Sequence, residues 1–146
     1  MNTIVCGVDG SPGARTAVRI AAAVADAIGA RLMAVHVLDR LADVGAEAKE
    51  VAAGVLDDEI PDAGAVARGE IGDVAERLAA VAREEEATMI VLGSRSRGRS
   101  RTYLRARCAA ELAELTDVPI LIAPLQLAAL APYRARVNPT AKEVHR

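Results

Sequence analysis

Residues 93–107 read GSRSRGRSRTYLRAR. The stretch opens like a loop whose backbone amides could cradle a phosphate. It then fills with arginines, whose planar guanidinium forks pair with phosphate oxygens. Arg95, Arg97, Arg99, Arg101, Arg105 and Arg107 carry +6, so with a net charge of −2 the rest of the chain carries −8. An acidic body with one basic loop points to a local anion site or partner patch, and away from a general nucleic-acid surface. A second feature lies near the other end. VDGSPG, residues 8–13, sets the carboxylate of Asp9 two residues before Ser11, a helix-capping hydroxyl.

Other chemistries fail on spacing. No serine has glycines two residues away on both sides, so GSRSRG is not a nucleophile elbow. There is neither GxxxxGK[ST] nor a GxGxxG at a strand end. His36 lies inside an apolar strand with no partner nearby in sequence, and His145 stands in the polar tail. Cys6 sits in an apolar strand, and Cys108 is four residues from both Leu104 and Leu112 on one helix face. Both cysteines read as small core hydrophobes carrying reduced thiols. No catalytic residue and no metal site are expected. With no Phe or Trp, and with its two tyrosines at Tyr103 and Tyr133, the chain has no aromatic platform for stacking bases.

These residues need elements to position them. IVCGV (4–8), RLMAVHVL (31–38), TMIVLG (88–93) and VPILIAP (118–124) read as strands, with DAGAVARG (62–69) as a weaker edge candidate. Between them run helices. Ser11 and Pro12 start the first, and Ala14, Ala17, Val18, Ala21, Val24, Ala25 and Ile28 repeat at helical spacing until Gly29. A second, polar-faced helix is expected over about 41–58. A third is capped by Asp73, with Glu76 reaching back, and buries Val74, Leu78, Val81 and Ala82. The fourth is expected over about 102–116, burying Leu104, Cys108, Leu112 and Leu115.

The order βαβαβαβαβ demands right-handed crossovers, hence an α/β fold with a parallel sheet covered by helices on both faces. In such a doubly wound sheet, ligands bind beyond the carboxyl ends of the strands, where strand order reverses. If the first and fourth strands are neighbours, Asp9 and the arginine loop face one crevice. The helix after the loop would then turn its positive N-terminus into that crevice.

The chain of 146 residues fits one domain able to bury a core of Ala, Val, Leu and Ile. Its N-terminus, MNTIVCGVDG, enters a strand without the pattern of a signal peptide, and no uncharged apolar run reaches membrane-spanning length. A cytoplasmic location without a membrane partner is the expectation. Residues 125–146 begin apolar and end polar with two prolines, and read as an appended segment that docks and then frays.

VDGS after the first strand, VHVL in the second, ARGEIGDVAERLAAVARE before the fourth, then VLGSRSRG and a closing DVPILIAP resemble the universal stress protein (UspA-like) family over residues 3–124. The resemblance implies a Rossmann-like five-stranded parallel sheet of order 3-2-1-4-5, commonly in a homodimer. It also implies a site. Nucleotide-binding members carry a loop G-x2-G-x9-G-[ST], whose glycines admit phosphate oxygens and whose hydroxyl binds phosphate. Gly93 matches the first glycine, whereas the second falls on Ser96, the third on Ala106 and the hydroxyl on Arg107. Asp9 matches the acidic residue that contacts the nucleoside, and Val37 an apolar contact to the base.

A Cβ at a glycine position of positive φ costs about 1 to 2 kcal/mol and holds phosphates away. Losing two or three phosphate hydrogen bonds at about 1 kcal/mol each weakens binding roughly thirtyfold or more. The resulting expectation is a homodimeric stress-response or regulatory module with weak or no ATP binding, paired through its last strand and acting on a protein partner. The alternative is an ATP-binding switch or slow ATPase with an arginine-based grip. Adenylating or pyrophosphatase-type enzymes of similar fold would need catalytic motifs that this chain lacks.

Overall fold

The computed structural model describes residues 2–9, 11–38, 45–61, 63–94 and 108–124. The elements run β1 (Thr3–Gly7), α1 (Pro12–Ile28), β2 (Arg31–Leu38), α2 (Gly45–Glu59), β3 (Val66–Ile71), α3 (Val74–Glu84), β4 (Ala87–Gly93) and β5 (Ile120–Ala123). Residues 108–115 are helical as well. The five strands form one sheet in the order β3-β2-β1-β4-β5. Every pairing is parallel. This is the α/β parallel sheet read from the alternation of apolar runs and helical segments, in the Rossmann-like order that the family resemblance implied.

Residues of alternate parity along each strand supply two apolar layers. Ile4, Cys6, Val8, Ala34 and Val91 face α1 and α2, meeting Ala14, Ala17, Val18 and Ala21 of α1 and Val55 and Leu56 of α2. Val5, Met33, Val35, Ile90 and Leu92 face the other way, onto Leu78, Val81 and Ala82 of α3 and Leu112. Alanine-rich helices let the layers sit close, so the chain fills its core without a phenylalanine or tryptophan. Gly7 leaves little room for a side chain. A Cβ there would lie 2.9 Å from Leu92 Cδ2 and 3.2 Å from Leu78 Cδ1.

Helix boundaries follow the expected chemistry. Ser11 caps α1, its Oγ accepting from Ala14 N at 3.2 Å. Gly29 ends α1 in the left-handed region (φ 69°), its N–H donating to Ala25 O. Asp73 caps α3, its Oδ2 accepting from Glu76 N at 3.0 Å.

The structure corrects three expectations, the bounds of β3 and the burial of Val74 and Leu115. β3 begins at Val66 and runs to Ile71, later than 62–69, because the chain is still turning at Gly64 (φ 67°). Val74 is half-exposed. It is the first residue of α3 and stands at the helix end. Ile28 closes α1 and is likewise half-exposed. Leu115, the last residue of the 108–115 helix, is 48% exposed. Helix-end residues keep the period of the buried face but project past the sheet that would cover them. The expected helical positions before 108, with Tyr103 and Leu104, lie outside the described residues, as do Tyr133, His145 and the segment 125–146.

One edge of the sheet is laced with charge. On β3, Arg68 donates to Glu70 (3.0 Å), to Glu84 and to Glu85 (3.3 Å), while Arg77 of α3 donates to Glu70 at 2.8 Å. Arg31 adds a bond to Glu85 at 2.6 Å. Burial pushes the Glu70 carboxyl upward, but hydrogen bonds from Arg77 and Arg68 and their positive charge outweigh it and hold the group below its ordinary value. A carboxyl lowered in the folded state contributes stability above its unfolded value and loses it as pH falls through the folded one. Glu70→Gln should therefore flatten the acid limb of the unfolding temperature against pH, relative to the native chain. An unchanged acid limb would show that the network does not couple to folding.

Candidate functional site

In the order β3-β2-β1-β4-β5 the direction of winding reverses between β1 and β4. Cys6 of β1 stands in register with Val91 of β4, and Gly7 with Val35 of β2. The tips of β1, β2 and β4 thus meet at the carboxyl edge of the sheet, where a doubly wound fold places its ligand.

Three of the sequence-derived site residues are found there. Asp9 follows β1 by two residues and is partly exposed. Its Oδ1 accepts from Ser11 N at 3.0 Å, an Asx turn that carries the chain from strand to helix cap. Val37 lies in β2, partly buried against the α3-side layer, in register with Glu70 of β3. Gly93 closes β4, buried and in register with Ala123. The next residue, Ser94, donates its N–H to Ala123 O at 2.8 Å.

Strand parity settles which face each side chain takes. Val5 packs in the α3-side layer, and a Cβ at Gly7 would point at Leu78 and Leu92 of that same layer. Val37 of the neighbouring β2 packs on that face, and Asp9 follows two residues after Gly7, where the chain has left β1. A carboxylate and an aliphatic side chain at the ends of neighbouring strands can accept hydrogen bonds from a ligand's hydroxyl or amino groups and cover an apolar ring face. Asp9, Val37 and Gly93 thus stand at the carboxyl ends of the neighbouring strands β1, β2 and β4. Ser96, Ala106 and Arg107 lie outside the described residues.

Sequence reading missed one contact at this edge. His36 Nδ1 lies 2.6 Å from Val8 O. The partners are 28 residues apart in sequence, and only the parallel register of β1 and β2 brings them together. Among the described residues, no group of three or more His, Cys, Asp or Glu is placed to hold a metal ion, and no helix is long and apolar enough to cross a membrane.

Comparison with known proteins agrees with this fold. The profile of the universal stress protein family matches residues 1–124. No significant match was found among curated proteins. Among solved structures, a universal stress protein family member from Burkholderia pseudomallei is 28% identical, with a TM-score of 0.61 over 84% of this chain and 96% of that one. A universal stress protein from Archaeoglobus fulgidus is 25% identical, with a TM-score of 0.67 over 84% of this chain and 98% of that one. One from Archaeoglobus fulgidus solved in complex with dAMP is 22% identical and shares the fold, with a TM-score of 0.64 over 84% of this chain and 98% of that one. Because the family profile spans every strand from β1 to β5, and the sheet has the order its motifs implied, the chain belongs to the universal stress protein family.

Proposed function

We propose that this chain is a homodimeric regulatory module of the cytoplasm, acting through a protein partner. Its crevice keeps the nucleoside end of a nucleotide site and alters the phosphate end. The observation that supports this reading is that Asp9 follows the tip of β1 beside β2, which carries Val37, while Gly93 ends β4 across the reversal point. The dAMP complex of a protein of the same fold supports an adenine mononucleotide as the ligand class for that end. Beyond Gly93, Ser96, Ala106 and Arg107 replace two glycines and a hydroxyl, so additional phosphates add little affinity.

Two substitutions at Asp9 separate ligand contact from turn formation. Asp9→Asn keeps an oxygen for the Ser11 N–H and should leave the unfolding free energy near native. Asp9→Ala removes that acceptor and should cost about 1 kcal/mol. Both should weaken AMP binding in calorimetry, since both remove the charge facing the ligand. Native AMP affinity in Asp9→Asn, or failure of Asp9→Ala to fold, would make Asp9 a structural residue alone.

The second reading, an ATP switch or slow ATPase, draws on the arginines that begin two residues after Gly93. In that case Arg107 and its neighbours pair with the phosphates through their guanidinium forks. Tight binding of ATP by the native chain would favour it.

A further inference from the structure

We propose that His36 is a positioning residue that holds the Val8–Asp9 peptide, just beyond β1, in strand orientation and so presents Asp9 to the crevice. The inference rests on the nucleoside end of the site proposed above.

The ladder between β1 and β2 is regular up to Gly7 and Val35. One further bond continues it, from Val8 N to Val35 O at 2.9 Å. β2 then runs on to Leu38, paired with Ile71 of β3, while β1 has turned toward α1. At this divergence the Val8 carbonyl meets the His36 side chain, Nδ1 to O, at 2.6 Å. A carbonyl oxygen only accepts, so Nδ1 carries the hydrogen, and the neutral ring is the Nδ1–H tautomer.

Fixing that carbonyl orients the next residues of the chain. The Val8–Asp9 peptide is planar and trans, as no cis bond occurs among the described residues. Val8 turns both its N–H and its C=O toward β2, so the trans geometry points the Asp9 N–H the opposite way, toward β4 and the reversal point. The Asp9 carboxylate is then set by its bond from Ser11 N, and Ser11 Oγ by its bond from Ala14 N. His36, Val8, Asp9, Ser11 and Ala14 form one hydrogen-bonded relay from β2 to the first turn of α1. Without its first member, the turn loses this tie to β2.

The test uses the full chain and three readouts. A two-bond proton–nitrogen correlation spectrum of the native protein should show His36 as the Nδ1–H tautomer; a neutral Nε2–H ring would overturn the proposal without any variant. His36→Asn keeps an N–H donor the same number of bonds from the backbone, whereas His36→Leu keeps bulk without a donor. Amide exchange at Ser11 and Ala14 should quicken about tenfold in His36→Leu, as expected for one lost hydrogen bond, and return toward native in His36→Asn. The amide of Ile90 in β4 should stay protected in both. AMP affinity should fall by about the same factor in His36→Leu and be recovered in His36→Asn. Exchange at Ser11 and Ala14 that is unchanged in His36→Leu, or equally raised in both variants, would overturn the proposal. If the native chain binds no AMP while exchange responds as expected, the nucleotide reading fails and the clamp stands.

Discussion

Titrated with magnesium ATP at matched ionic strength, the native chain is expected to bind weakly or not at all. The triple substitution Ser96→Gly, Ala106→Gly, Arg107→Ser should bind at least about thirtyfold more tightly. Gly93 ends β4 at the reversal point, one strand from Asp9. A chain leaving that tip can wrap phosphates only if its backbone comes within hydrogen-bonding distance of their oxygens. Glycines permit this, and a Cβ opposes it. Each phosphate hydrogen bond regained contributes about 1 kcal/mol, and two or three compound to the expected factor. Matched salt matters because six clustered arginines attract any polyanion, and screening removes that nonspecific share. Tight native binding abolished by the triple substitution would instead identify Arg107 and its neighbours as a working phosphate grip.

The largest effect on assembly is expected from Ile122→Pro, which should weaken the proposed homodimer about a thousandfold. Ile90 donates to Pro119 O at 2.9 Å, and Ser94 to Ala123 O at 2.8 Å, so alternate residues of β5 from Pro119 onward bond inward to β4. Ile120 and Ile122 consequently direct their backbone N–H and C=O groups to the open edge. Ile122 is 51% exposed on that edge strand, while the opposite edge, β3, is crossed by the Arg68, Glu70 and Arg77 network. An apolar edge invites pairing and a charged one resists it. Proline at 122 removes an outward N–H and an isoleucine without touching the β4 ladder, a tolerated edge position. By symmetry each copy loses about one hydrogen bond and the burial of one large side chain, together several kcal/mol. Light scattering on a size-exclusion peak should report twice the chain mass for the native protein and the chain mass for the variant. A monomeric native chain at micromolar concentration would contradict the pairing and make Leu125 to Ala131 the segment that covers this edge.

Much of this fold was legible because its signals are local. Continuous apolar runs marked β1, β2, β4 and β5. Ser11, Gly29 and Asp73 marked helix ends by backbone requirements that act within a few residues. β3 was misplaced because DAGAVARG mixes a turn with a strand, and the partners of Arg68 at the end of α3, Glu84 and Glu85, come 16 and 17 residues after it. Val74, Ile28 and Leu115 carry the helical period yet lie where no sheet covers them, which periodicity alone does not encode.

The candidate site was legible in the sequence only through the family resemblance and the strand order. The resemblance named Asp9, Val37 and Gly93, and the strand order sets the ends of β1, β2 and β4 side by side. The His36 contact could not be read that way, since it depends on the register of two strands and on β1 ending before β2. The charge network at β3 has the same character: each arginine looks like an ordinary solvated residue until the fold sets three glutamates around Arg68.

Native mass spectrometry of the full chain, purified without denaturation, tests the dimer and the altered phosphate end in one spectrum. The expected species has twice the mass of the chain, carries no stoichiometric ATP and gains AMP only when it is added in excess. A monomer, or a dimer emerging with one ATP per chain, would contradict the proposed module.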